Sequence, residues 1–313
     1  MAEPQARRPR PPAAPATFGV FALSGSVDPA RLDEGVARLQ SAGHRVVVAD
    51  ESRARWRYFA GGDEERLAGF HRLLDDPAID VMIPARGGYG ITRVLAGIDW
   101  ARVGASGKVF CGFSDFTAFN CAALALGGLA TVHGPMLCVD FGDGEPDAFM
   151  QRHFAATLWG HGDSETVEGE HGYAPGAIAG TLWGGNLSVL AHLVGTPYLP
   201  AVDGGLLYLE EIAEEPYAVE RLFYQLRHAG LLERCRAVLL GDFSDCEPRN
   251  PARYPYAMQE AVETLRAIAP CPVLPGLPFG HVARKLTLPF GTGALLTLQP
   301  GSFTLSWPGL ARP

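Results

Sequence analysis

Apolar runs are short throughout this sequence. None approaches the roughly 20 consecutive apolar residues that a helix needs to cross a bilayer, so a membrane-spanning helix is not expected. Cysteine motifs are missing as well. The six cysteines stand at 111, 121, 138, 235, 246 and 271 with no C-x-x-C among them. No His/Cys/Asp cluster has zinc-ligand spacing, and no metal or cofactor is expected. Positive charge is scarce: 26 Lys and Arg face 34 Asp and Glu, a net charge of −8. With no basic run to offset it, nucleic-acid binding is not expected, and an acidic small substrate would have to be met by individual arginines or lysines. The first residues carry Arg7, Arg8, Arg10 and several prolines but no apolar core of signal-peptide length. The cytoplasm is therefore the expected compartment. Residues 1–16 are expected to form a disordered tail that cannot offset its ordering entropy by burial.

What the chain has in quantity is glycine and proline, 38 and 25 residues, with 47% hydrophobic side chains. That is the composition of a globular protein with many turns, and 313 residues leave room for two domains. Residues 18–23, 44–49 and 79–85, and the run reaching Gly112, read as short apolar strands. Between them, 29–42 and 63–74 read as helices, the second with Leu67, Phe70 and Leu74 on one face. Such alternation implies a parallel sheet with crossover helices, hence an amino-terminal α/β domain over 17–160. A helix is expected near 148–159. Residues 161–176 are poor in apolar pattern and are expected to be a linker. A second, smaller, β-rich α+β domain is expected over 177–313, with strands at 206–209 and 237–243. Its helix at 216–228 has Val219, Leu222, Phe223 and Leu226 on one face, and Asn186 is placed to cap a helix at 187–194.

Gly112-Phe113-Ser114-Asp115-Phe116-Thr117 joins an apolar run to the Ala-rich segment 118–126. Strand, sharp turn and helix would put the Ser114 hydroxyl at the carboxyl end of a sheet beside the free N–H groups of a new helix, as a nucleophile requires. A serine there also suits a plain N-cap, and Phe116 stands where the second glycine of G-x-S-x-G would be. Arg86-Gly87-Gly88-Tyr89-Gly90 follows the third strand. It is not G-x-G-x-x-G, and it reads as a phosphate cradle, as an oxyanion loop, or as a tight turn. Activating a serine takes a histidine and an orienting carboxylate. His281, after Gly280, and Glu210, ending an apolar strand, are the candidates, although Glu210 and Glu211 also suit a solvated strand end.

Taken in order, Arg86-Gly87-Gly88-Tyr89-Gly90 with Arg93, Gly112-Phe113-Ser114-Asp115-Phe116-Thr117, His133-Gly134-Pro135-Met136, Gly184-Gly185-Asn186-Leu187, Leu209-Glu210-Glu211 and Gly280-His281 resemble the LD-carboxypeptidase family of serine peptidases. That family also contains the microcin C immunity peptidases. The resemblance spans residues 18 to 305 and implies an α/β domain followed by a smaller β-rich domain, with the site at their junction. It implies Ser114 as nucleophile, His281 as general base and Glu210 as its partner. Backbone oxyanion donors are implied at Asp115 and in the glycine loop, placed at Gly88. Arg86, beside that loop, is the candidate cation for a substrate's terminal carboxylate. Strand alternation does not choose between Glu210 and Glu211; the resemblance chooses Glu210, although Glu211 stands where many members carry aspartate. The implied activity is a cytoplasmic serine carboxypeptidase releasing terminal D-alanine from murein tetrapeptides, homodimeric in many members. The alternatives are a microcin-immunity-type amidase acting on peptidyl or aminoacyl nucleotides, and a non-catalytic nucleotide- or sugar-binding α/β protein.

Overall fold

The computed structural model describes residues 6–310. Its first half comprises β1 (Thr17–Phe21), α1 (Pro29–Ser41), β2 (Arg45–Val48), α2 (Asp63–Asp75), β3 (Val81–Pro84), α3 (Ile91–Val94), α4 (Trp100–Ala105), β4 (Val109–Phe110), α5 (Thr117–Ala125), β5 (Thr131–His133) and α6 (Ala148–Trp159). Local chemistry sets these ends. Asp28 caps α1 by accepting from Ala30 N, with Pro29 supplying a preset φ at the first helical position. At the start of α2, the Glu65 carboxylate reaches back to Gly62 N.

Strands β1 to β4 form one parallel sheet in the order β2-β1-β3-β4. Every residue of β1 and β3 is buried, as in a sheet covered on both faces. The chain leaves β1 toward β2 on one side and returns to β3 on the other, so the winding reverses between β1 and β3. Sites in open α/β sheets lie outside the carboxyl ends of the strands at such a reversal. The loops that leave β1, β3 and β4 there carry Ser24, the 86–90 glycines and Ser114.

The second half comprises β6 (Gly162–Glu168), β7 (Gly176–Asn186), α7 (Leu187–His192), β8 (Gly205–Ile212), α8 (Pro216–His228), β9 (Cys235–Ser244), α9 (Met258–Ile268), β10 (Val273–Pro275), β11 (Leu288–Phe290), β12 (Thr292–Gln299) and β13 (Ser302–Pro308). Seven of its strands form a mixed sheet, β10-β9-β8-β7-β12-β13-β6. It is parallel from β10 to β7 and antiparallel beyond. Strand β11 leaves that sheet and pairs antiparallel with β5 of the first domain. One buried apolar cluster runs from Phe70 and Phe119 through Leu187 to Leu206 and Phe223, crossing the domain junction.

Two expectations are corrected. Within the linker expected over 161–176, residues 162–168 form β6, an edge strand paired with β13 from Ser302↔Glu168 to Pro308↔Gly162. Its exposure alternates along its length. One polar face meets water and the other is only half-covered, so the strand carries no apolar signature. Of the tail expected to be disordered, residues 1–5 lie outside the described residues, but 6–16 run along the first domain. Arg7 N donates to Gly128 O at 2.8 Å, Ala130 N donates to Arg7 O at 2.8 Å, and Arg10 N donates to Gly107 O at 2.9 Å. Pro9 and Pro12 are buried. Prolines lose little backbone freedom on ordering, so a few main-chain bonds suffice to hold the segment.

Candidate active site

After β4 the chain passes through Gly112, where a Cβ would come within 2.8 Å of the Phe116 ring and of Pro84. Phe113 is extended, and Ser114 then takes φ +62 before the single 3₁₀ turn Ser114–Phe116 leads into α5. A non-glycine residue in that left-handed region costs about 1–2 kcal/mol. The strain turns the hydroxyl off the sheet end. Phe113 holds the cap position and no side chain caps the turn, so Ser114 does not serve as an N-cap. Its Oγ lies 2.9 Å from His281 Nε2. The N–H of Asp115, in the first turn, has no intrahelical acceptor.

His281 follows Gly280, whose φ of +140 strains any other residue and where a Cβ would stand 3.2 Å from Asp242 and 3.3 Å from Glu210. Its Nδ1 lies 2.7 Å from Glu210 Oε2, and its ring meets Phe113 edge-on with centroids 5.0 Å apart. Glu210 is fully buried on β8. The register with β9 is Leu209↔Leu240 and then Glu211↔Phe243, so a bulge lies opposite Glu210; bulges re-aim side chains beside sites.

The neighbouring Glu211 lies beside the same cavity but is engaged by other partners. It accepts from Asn186 Nδ2 at 2.8 Å, from Ser188 N at 2.7 Å and from the Ser188 hydroxyl. Asn186 in turn caps α7 by accepting from Val189 N, and its own N–H donates to Thr117 Oγ1 at 3.0 Å. Tyr208, on the same face of β8 as Glu210, has its hydroxyl 2.9 Å from His133 Nδ1. Burial, aided by the nearby His281, lowers the His133 pKa to about 3.

The 86–90 loop closes the other side. A Cβ on Gly87 would stand 2.9 Å from both Cβ and Oγ of Ser114, so the loop backbone presses directly on that residue. Gly88, next along, has φ +102 and packs against the Tyr58 hydroxyl. Arg86 is half-buried and donates to Ser26 O at 3.1 Å. These groups open onto a cavity of about 670 Å³ between the domains. Arg31, Arg86 and Gly88 line one wall, and Val189, Ile212 and Glu214 the other. Its size suits a small peptide-like ligand.

Sequence reasoning did not find what holds the far side of Phe113. Lys285 and Asp140, both almost fully buried, pair at 2.6 Å. The ammonium also sits 3.9 Å from the centre of the Phe113 ring, and Asp140 accepts from Met136 N at 2.8 Å. The nearness of Lys285 to Gly280-His281 in sequence was the one available signal. Among the described residues no group of three or more His, Cys, Asp or Glu side chains could hold a metal ion. None of the helices they form is long and apolar enough to cross a membrane.

A hydroxyl, an imidazole and a buried carboxylate in hydrogen-bonding succession, beside unpaired backbone N–H groups, can activate a serine toward a carbonyl. The profile of the LD-carboxypeptidase N-terminal domain matches residues 18–134, and that of the LD-carboxypeptidase C-terminal domain matches 179–296. The probable murein peptide carboxypeptidase of Bacillus subtilis is 34% identical over 90% of this chain and 88% of its own. The murein tetrapeptide carboxypeptidase of Pseudomonas aeruginosa is 32% identical over 78% and 80%. The crystal structure of muramoyltetrapeptide carboxypeptidase from Oxalobacter formigenes superposes with a TM-score of 0.87 at 37% identity, covering 94% of this chain and 98% of that one.

Proposed function

The chain belongs to the LD-carboxypeptidase family of peptidases, and from that premise we propose that it is a cytoplasmic serine carboxypeptidase that removes terminal D-alanine from murein tetrapeptides. The observation that carries the reading is the continuous succession Ser114 Oγ, His281 Nε2, His281 Nδ1, Glu210 Oε2, with spacings of 2.9 and 2.7 Å across the domain junction. In the proposed reaction His281 takes the Ser114 proton as Oγ attacks the carbonyl of the L,D-bond. The N–H groups of Asp115 and Gly88 hold the oxyanion. Collapse of the intermediate passes the proton from His281 to the leaving amine and releases D-alanine. Water, deprotonated by the same imidazole, then cleaves the acyl-enzyme. Glu210 keeps the ring oriented and offsets the imidazolium charge. The reaction as written uses no metal, and in the proposed assembly the protein is a homodimer.

Arg86 is the proposed anchor for the terminal carboxylate. Two anchors, one on the carboxylate and one on the carbonyl, dictate where the α-methyl group points, so inversion at that carbon displaces the carbonyl from its donors. A misplacement of about 1 Å costs on the order of 100-fold in rate. Mass spectrometry of muropeptides incubated with the protein tests the reading: tetrapeptides ending in D-alanine are expected to become tripeptides, while L-alanine epimers stay largely intact. Equal cleavage of both epimers, or of neither, overturns the murein assignment. Cleavage of an aminoacyl nucleotide instead would favour the microcin-type alternative.

A further inference from the structure

Asp115 contributes more than its N–H. Its carboxyl group is almost completely buried. There Oδ2 accepts from Ser24 Oγ at 2.6 Å and from Ile91 N at 3.0 Å. These donors belong to two different loops, the one leaving β1 and the one leaving β3, on either side of the winding reversal. Arg66, also fully buried, grips the same two loops from the other direction: its Nη1 donates to Leu23 O and lies 3.3 Å from Gly90 O. Gly90 O and Ile91 N belong to one peptide unit. That unit is therefore held at its carbonyl by a guanidinium and at its N–H by a carboxyl group. The contact is tight enough to exclude a side chain. A Cβ on Gly90 would meet Arg66 Nη1 at 2.8 Å, Ser24 Cα at 2.9 Å and Leu23 O at 3.0 Å.

This peptide unit ends the 86–90 loop, whose other end presses Gly87 onto Ser114. Resting on the serine-peptidase reading above, we infer that the Asp115 side chain is a positioning residue that sets the spacing between the two oxyanion donors. One donor is its own N–H. The other, at Gly88, belongs to the loop that its carboxyl group tethers. A single residue thus couples both halves of the oxyanion hole. Burial pushes the Asp115 carboxyl pKa above its ordinary value, while the Ser24 and Ile91 donors and the Arg66 charge pull against that rise. Removing one oxyanion donor outright costs about 100–1000-fold in kcat, so letting one drift belongs at the lower end of that range.

The test uses the full chain with a tetrapeptide ending in D-alanine and, as a tetrahedral analogue, the matching peptide boronate. Asp115→Ala is expected to lower kcat and boronate affinity together by about 100-fold, with KM little changed. Asp115→Asn keeps an oxygen for Ile91 N and is expected to restore most of both. Should Asp115→Ala fail to fold, Ser24→Ala removes one of the two donors and is expected to give the same paired loss at about 5–10-fold. Either variant, folded and with kcat unchanged, overturns the inference. So does a fall in kcat with boronate affinity intact, because that would place the effect outside the oxyanion hole. An active wild type with an unaffected Asp115→Ala refutes this inference alone. A wild type that neither cleaves the peptide nor binds the boronate refutes the peptidase reading, and the inference with it.

Discussion

The two domains meet at Ser114 but bring different materials to it. The first contributes main-chain shape: a serine at φ +62, glycines at φ +102 and +150, and a loop whose Gly87 leaves no room for a Cβ beside Ser114. The second contributes side-chain chemistry: a fully buried Glu210, and His281 held to it at 2.7 Å. Geometry made from backbone is vulnerable to added bulk. Chemistry made from side chains is vulnerable to the loss of a single atom type. The two halves of the site should therefore fail in different ways.

Deleting the proposed reacting groups is expected to give the largest effect. Ser114→Ala and His281→Ala are each expected to lower turnover by roughly 10⁶-fold, with thermal unfolding nearly unchanged for the serine variant; substantial residual hydrolysis would remove that residue from its role. A subtler change on the second domain comes next. Glu210→Gln is expected to cost about 10⁴-fold in kcat. Glu211→Gln is expected to cost less than about tenfold in kcat and instead to lower stability by about 1–3 kcal/mol, since Glu211 accepts from Asn186 and Ser188. Kinetics and denaturant titration of both variants check the order, and its reversal would shift the assignment to Glu211.

On the first domain, Gly87→Ala adds only a methyl group, 2.9 Å from Ser114 Oγ. Turnover is expected to fall about 100-fold through displacement of the hydroxyl, with the fluorophosphonate labelling rate falling in parallel. Unchanged labelling would show that the loop yields, and would weaken the contrast between the domains.

A last test, with no expected effect on turnover, concerns a first-domain residue that behaves like second-domain chemistry. His133 is buried and its pKa is lowered to about 3. Below about pH 6.5 the unfolded chain takes up a proton there that the folded chain refuses. Its contribution to stability is therefore full above pH 6.5 and is lost as pH falls toward 3, by up to about 1.4 kcal/mol per pH unit. Urea denaturation from pH 7 to pH 4 should show a shallower slope for His133→Gln than for the wild type.

Much of the fold was legible because its signals are local. Helix α8 declares itself through an apolar stripe and a proline at its start, and the short buried strands of the first domain through apolar runs between turns. Strand β6 was not legible, because an edge strand half in water needs no apolar pattern. At the site, the motif residues named Ser114 and His281 as candidates, but an N-cap serine and an elbow serine share the same neighbours. Only the backbone angle separates them. Glu210 and Glu211 could not be told apart by alternation, because what decides is which face of β8 meets the first domain, and it is the face of Tyr208, whose hydroxyl reaches His133. Nothing in the sequence sets Arg66 apart from other helix arginines. Its burial depends on Leu23 and Gly90, which only the folded sheet brings alongside.

Ser114 and His281 are 167 residues apart in the chain. The ribosome therefore completes the first domain long before it supplies the imidazole, and strand β11, which stitches the second domain to β5, follows His281 closely in sequence. On the proposed triad, a chain that stops before residue 281 lacks the general base, however far its first domain has folded. By the same assignment, the site can act only once the last part of the chain has been made.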